Sequence, residues 1–202
     1  LEAIADFDDA LLEKLLEDVV PNPGEIYAGL ARDLQQDLIV PVFFGSAEGM
    51  HGITRLLKAL RHEAPEPQST AERLGILTEE PCARIFKTLH ASHTGKLSLA
   101  RVFSGEITDG MTLNGERVSG ISRMLGQKLE KVAKAAIGEV VALGRLDSAQ
   151  TGTVLSPSGK AEGDDWPAPL KPMFAQCVHA RERADEVKLT AALSRLVDED
   201  PS

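Results

Sequence analysis

The sequence is poor in aromatic residues, in cysteine and in long apolar runs, and each shortage excludes something. Aromatics make up 4% of 202 residues, with one tryptophan and one tyrosine, so the cores must be aliphatic. Cys82 and Cys177 stand far apart and fit no metal-ligand spacing, which excludes a disulfide-built scaffold and suits a reducing cytoplasm. No apolar run approaches the ~20 residues of a membrane span, and no basic-then-apolar start marks a signal peptide. No membrane partner is expected, and the location expected is cytoplasmic. The chain opens on Leu1 and stops just after a helical pattern, so it reads as a piece of something longer.

Charge is unevenly spread. The net value is −9. Residues 1–68 hold 5 basic and 13 acidic side chains, residues 69–157 hold 11 and 9, and residues 158–202 hold 6 and 9. Only the middle segment avoids repelling a polyanion, which permits contact with RNA; a mixed solvated surface has the same composition.

Hydrophobic periodicity divides the chain. In residues 1–64, Asp6 is placed to cap a helix whose Leu12, Leu15, Leu16 and Val19 share a face. Pro21 and Pro23 separate it from a second helix reaching about Gln36. Leu38–Phe44 is a nearly continuous apolar run, the pattern of a strand covered on both faces. Ile53, Leu56, Leu57 and Leu60 then mark a third helix. Residues 65–79 begin Pro-Glu-Pro and read as a linker.

Between Pro81 and Pro157 there is no proline, while nine glycines fall between Gly95 and Gly152. Such chain keeps every ladder amide and supplies turns with positive φ. Strands are expected near Cys82–Leu89, Leu97–Phe103, Met111–Leu113, Arg117–Leu125, Lys128–Val132, Val140–Leu143 and Thr153–Leu155, with a hairpin turn at Asn114-Gly115. Seven short strands over residues 80–156 predict a small closed barrel. Residues 157–202 read as a proline-marked linker, a strand at Met173–His179, and a helix capped by Asp185.

Phosphate chemistry is missing. GxxxxGK[ST], DxxG and NKxD do not occur, and the only asparagines are Asn22 and Asn114. Nothing here is built to cradle a triphosphate or hold Mg²⁺. His90-x-x-His93 near Cys82 lacks the further ligands of a zinc site. No Ser/His/Asp grouping or carboxylate pair stands out, so no catalytic residue is assigned.

Several motifs nevertheless occur in a telling order. Gly45-Ser46-Ala47 follows the apolar run; His93-Thr94-Gly95-Lys96-Leu97 leads through to Ser104-Gly105; Ile137-Gly138-Glu139-Val140-Val141-Ala142-Leu143 and Thr151-Gly152-Thr153 come after. The tail ends Asp198-Glu199-Asp200-Pro201. This order resembles elongation factor G, a translational GTPase, over nearly the whole chain. The resemblance implies a partial α/β GTPase segment, a complete translation-factor-type β-barrel, and the start of an incomplete α+β, ferredoxin-like domain. It implies a parent that binds GTP or GDP with Mg²⁺ and couples hydrolysis to ribosomal translocation, as a monomer. Gly45, Ser46 and Ala47 would form the guanine loop. Arg101, Arg117, Arg123, Lys128, Lys131 and Lys134 would be candidates for ribosomal RNA contact. The hairpin at Asn114–Arg117 is shorter than is usual in that family, and Glu48 is acidic where the family carries an apolar or basic residue. A divergent paralogue, acting as a ribosome-protection or release factor, or a GTPase-dead adaptor, therefore stands as the alternative.

Overall fold

The computed structural model describes residues 7–76, 78–91, 95–126, 128–163 and 166–200. The chain forms two compact units, Leu1–Glu66 and Pro67–Ser202. The first contains helices α1 (Asp9–Leu16), α2 (Pro23–Gln35) and α3 (Ile53–Glu63). Asp6 lies outside the described residues; Asp8 caps α1, its Oδ1 accepting from the Ala10 and Leu11 amides at 3.1 and 3.2 Å. Asn22 and Glu25 form a reciprocal capping box on α2, with Pro23 in the first turn, where its missing N–H costs nothing. Arg32 joins the two helices by bonding Asp8 at 2.9 Å, and Tyr27 of α2 stacks on His62 of α3 at 4.4 Å.

The expected strand over Leu38–Phe44 is not paired among the described residues. No strand forms there, and Val40, Val42 and Phe44 are 84%, 71% and 88% exposed. A strand needs hydrogen-bonded neighbours, and this one meets only an isolated bridge between Ser46 and His51 further on. The α/β character of this unit is thus fragmentary.

The second unit is built around strands. They are β1 (Cys82–Ala91), β2 (Gly95–Ser104), β3 (Glu106–Thr108), β4 (Thr112–Leu113), β5 (Glu116–Arg117), β6 (Ile121–Leu125), β7 (Lys128–Val132), β8 (Lys134–Ala136), β9 (Val140–Gly144) and β10 (Val154–Leu155). Six form an antiparallel sheet in the order β10-β1-β2-β9-β6-β7; β3 pairs β8, and β4 pairs β5. The result is a barrel-like fold. Register sets which residues face inward: Ile85 opposes Ala100, Ala100 opposes Val141, and Ile121 opposes Leu143, all fully or almost fully buried. Arg84, Arg101 and Val140 therefore share the outer face. The expected strand Arg117–Leu125 is broken at Gly120, whose φ is +90°. β3 and β8 escape the sequence pattern because three-residue strands show no periodicity.

One edge of the sheet is finished by a turn. Asn114 and Gly115 form the β4–β5 hairpin with φ of +49° and +83°, as the Asn-Gly pair predicts. The Asn114 carboxamide donates to the Val154 carbonyl and accepts from the Ser156 amide, both at 2.9 Å. Backbone bonds between Val102 and Gly138 or Glu139, 2.8 and 3.0 Å long, tie the turn after β8 to β2.

The stretch expected as linker contains helix α4 (Pro67–Arg73). Its Ala71 is buried with Ile76 and Phe103 in a second small core. Pro67 starts a helix instead of an extended spacer because the following turn has an apolar face to bury. Further on, Trp166 lies over Arg84, 5.1 Å from ring centroid to guanidinium. Gly152 makes that possible: a Cβ there would stand 2.7 Å from the indole side chain.

The tail departs from expectation in its first element. Met173–His179 is not a strand, and Met173 and Phe174 are 100% and 79% exposed. Asp185 stands at the N-cap of the last helix, as expected, but its side chain makes no capping bond; it closes a 3₁₀ turn (Arg183–Asp185) leading directly into α5 (Glu186–Glu199) and pairs with Lys188 at 2.7 Å. The end of α5 meets β1, where Glu199 accepts from the His90 amide and Asp198 lies 3.1 Å from His90 Nε2. His93 lies outside the described residues. Among the described residues no helix is long and apolar enough to cross a membrane.

Both cysteines are free thiols, Cys82 buried and Cys177 exposed. Burial, helped by the nearby Glu80 carboxylate, pushes the Cys82 thiol up to about 11. Thiolate is the reactive form. In native protein at pH 8, a chromogenic disulfide reagent is expected to modify one thiol promptly, Cys177, and to reach Cys82 only after denaturant is added; two fast equivalents would contradict the buried placement.

Candidate functional site

Gly45, Ser46 and Ala47 lie in a tight loop closed by paired backbone bonds. Ser46 N–H donates to the His51 carbonyl at 3.0 Å, and His51 N–H returns to Ser46 at 3.1 Å. Two glycines allow the strands to approach. A Cβ on Gly45 would sit 2.7 Å from the His51 carbonyl oxygen, and one on Gly52, at φ +77°, 2.4 Å from that of Phe44. Within the turn, Met50 N–H donates to Ala47 at 3.2 Å. The amides of Ala47 and Glu48 donate to no acceptor among the described residues. The loop is exposed throughout, so it offers two free donors flanked by small side chains.

The six candidate cations of the barrel are not equivalent. Arg123 of β6 is held by Glu139, with Nε 3.0 Å from Oε1. Lys134 of β8 pairs with Glu106 at 2.8 Å, and that carboxylate raises the lysine's pKa. Arg101, Arg117, Lys128 and Lys131 carry no ion pair among the described residues. Arg101 lies on the outer face of β2 opposite Val140. Lys131 opposes Ser122 and Lys128 opposes Leu125, which places the two lysines on opposite faces of β7.

Arg117 lines a recess of about 350 Å³ together with Asp109, Gly110, Val118, Ser119 and Arg145. A second recess, of about 410 Å³, contains Lys131 and shares Asp109, Ser119 and Arg145 with the first. Arg145 was not singled out by the sequence. It directly follows Gly144 at the end of β9 and adopts φ +60°. A basic residue just past an apolar strand that ends in glycine is the only signal available, and it does not announce a left-handed backbone.

Glu139 links the Ile137–Leu143 motif to β6. The Ala136 amide, donating at 2.8 Å, and then the Arg123 guanidinium hold its carboxyl below the usual glutamate range. A depressed folded-state pKa contributes stability that is complete above the unfolded value and is lost as pH falls through the folded one. Glu139→Gln is therefore expected to lower the urea midpoint at pH 7 and to converge with the unsubstituted protein in acid; an equal deficit at both pH values would refute the assignment.

Comparison with known proteins places this geometry. Residues 80–158 match the model of elongation factor G domain 2. The whole chain is 43% identical, over 205 aligned positions, to an elongation factor G-like protein of Synechocystis sp., covering 30% of that protein. It is 31% identical to elongation factor G 2 of Syntrophomonas wolfei, again over the whole chain and 32% of the relative. A crystal structure of a Thermus thermophilus protein superposes on the whole chain and on 31% of its own with a TM-score of 0.72 at 26% identity. The chain thus spans about a third of the length of the relatives it matches. Residues 80–158 thus match elongation factor G domain 2, and the chain as a whole is similar to a segment of elongation factor G-like proteins.

Proposed function

We propose that this chain is part of a cytoplasmic, ribosome-associated GTPase that couples GTP hydrolysis to translocation. In this reading residues 1–64 are the end of the GTP-binding domain, 80–156 its second-domain barrel, and 157–202 the start of a third domain. The observation that carries it is the alignment of all 202 residues with an elongation factor G-like protein at 43% identity, with no part left over.

Gly45-Ser46-Ala47 is the share of the nucleotide site found here. The unpaired amides of Ala47 and Glu48 suit the carbonyl of a guanine base, and small side chains let the main chain approach it. GTP supplies a phosphoryl group whose transfer needs cationic and metal stabilisation. No residue pattern in these 202 positions fits the phosphates or Mg²⁺, so those groups would be held by other parts of the parent. The exposed Val40, Val42 and Phe44 fit the same picture, as a strand whose sheet neighbours belong to the rest of the GTP-binding domain.

The barrel would face ribosomal RNA through its unpaired cations, Arg101, Arg117, Lys128 and Lys131. Arg123 and Lys134 are weaker contributors, because a phosphate must compete with Glu139 and Glu106 for them.

GTP hydrolysis by the full-length parent, with and without ribosomes, tests the reading. Strong stimulation by ribosomes is expected, and no multiple turnover by the 202-residue chain alone. Absence of hydrolysis by well-folded parent under both conditions would favour a GTPase-dead adaptor, and turnover by the isolated chain would overturn the division of labour.

A further inference from the structure

The loop that carries Gly45, Ser46 and Ala47 is shaped by a residue that the guanine reading does not use. His51 closes it, and its imidazole lies against Gly49: a Cβ on that glycine would stand 2.7 Å from the ring's Cδ2 and 3.1 Å from Nε2. We propose that His51 is a positioning residue for guanine recognition, its ring holding the Ser46–His51 turn in the shape that leaves the Ala47 and Glu48 amides available to the base. The inference rests on the GTP-binding reading above and adds to it a residue outside the Gly45–Ala47 motif.

The turn uses its donors selectively. Ser46 N–H goes to the His51 carbonyl and His51 N–H returns to Ser46, at 3.0 and 3.1 Å. Met50 N–H goes to Ala47 at 3.2 Å, and Gly49 N–H to the Ser46 hydroxyl oxygen at 3.4 Å. Four of the six amides from Ser46 to His51 are therefore held inside the turn, and the two left over, on Ala47 and Glu48, are neighbours. Adjacent donors can converge on one carbonyl oxygen, which offers two lone pairs. Their direction depends on the turn staying closed, because a relaxed loop gives its amides to water or to its own carbonyls.

Closure is held against strain. Met50 sits at φ +55°, a left-handed backbone that a residue with a Cβ adopts at a cost and keeps only where its surroundings impose it. Methionine has no short polar group with which to bond its own backbone, the device that lets asparagine tolerate this region. Gly49, next to it, shows no positive φ, so glycine is called for there by space alone, and the His51 ring fills that space. A ring seated on bare backbone resists the swing of the 49–50 peptide by which Met50 would leave the left-handed region. Gly52, at φ +77°, completes the reversal and leads into α3. Every residue from Gly45 to Gly52 is exposed, so the ring builds no part of the core. Its removal is expected to change the loop and spare the fold.

The test is competition for a fluorescent GDP derivative on the full-length parent, comparing GDP with 2-aminopurine riboside diphosphate, whose base lacks the guanine carbonyl oxygen. The unsubstituted parent is expected to prefer GDP. His51→Ala should weaken GDP binding about tenfold, the loss of one well-aimed hydrogen bond, and leave the affinity of the analogue within about twofold. The preference then narrows, which a general loss of folded protein would not cause. Gly49→Ala should narrow it as well, its methyl displacing the ring, and the double variant should be no weaker than His51→Ala alone. His51→Phe keeps a ring in place and should keep the preference. An unchanged preference in His51→Ala, additive losses in the double variant, loss of preference in His51→Phe, or no preference in the unsubstituted parent would each overturn the inference while leaving GTP binding intact. Failure of the unsubstituted parent to bind GDP would overturn the nucleotide reading itself, and the role of His51 with it.

Discussion

The barrel depends on how its hydrogen-bond ladder is finished at a two-residue edge strand. β10 is too short to protect itself, and an open edge exposes amides and carbonyls that must find partners. The Asn114 carboxamide supplies them, meeting Val154 and Ser156 from a turn that Asn-Gly makes with little strain. From that clasp follow the burial of Leu113 and Leu155 and the inward register of Ala83, Ile85 and Val102. Glycines serve the same end elsewhere, at places where two main chains or a main chain and Trp166 come closer than a Cβ permits.

Surface charge is organised by pairing. Arg32, Arg123, Lys14, Lys134 and Lys188 are each engaged by a carboxylate. Exposed pairs of this kind contribute little to stability, but they decide which cations remain available. Of those left over in the barrel, Arg117, Lys131 and Arg145 line two recesses that share Asp109, Ser119 and Arg145, while Arg101 and Lys128 lie elsewhere.

Much of the barrel is legible in the sequence. Proline-free, glycine-punctuated chain marks its extent, and seven of the strands fall close to their expected places. β3 and β8 are not legible, because pairing over three residues leaves no pattern of its own. Leu38–Phe44 and Met173–His179 read as strands because apolar composition reports a tendency to burial, whereas a strand also needs a neighbour to bond with. The helix at Pro67–Arg73 reads as linker because proline suits an extended spacer as well as the first turn of a helix.

The sequence by itself determined the helix starts at Pro23 and Ile53, the Asn114 turn, and the absence of every phosphate-binding motif, since each rests on residues adjacent along the chain. It also carried the family resemblance, which is a matter of order. Tertiary structure alone decided which cations are neutralised and which converge. Arg117, Lys131 and Arg145 come from three separate strands or strand ends, and only the barrel's register and the left-handed backbone at Arg145 bring them to two recesses that share Arg145. Convergence of that kind depends on contacts between residues distant in sequence, which no local pattern encodes.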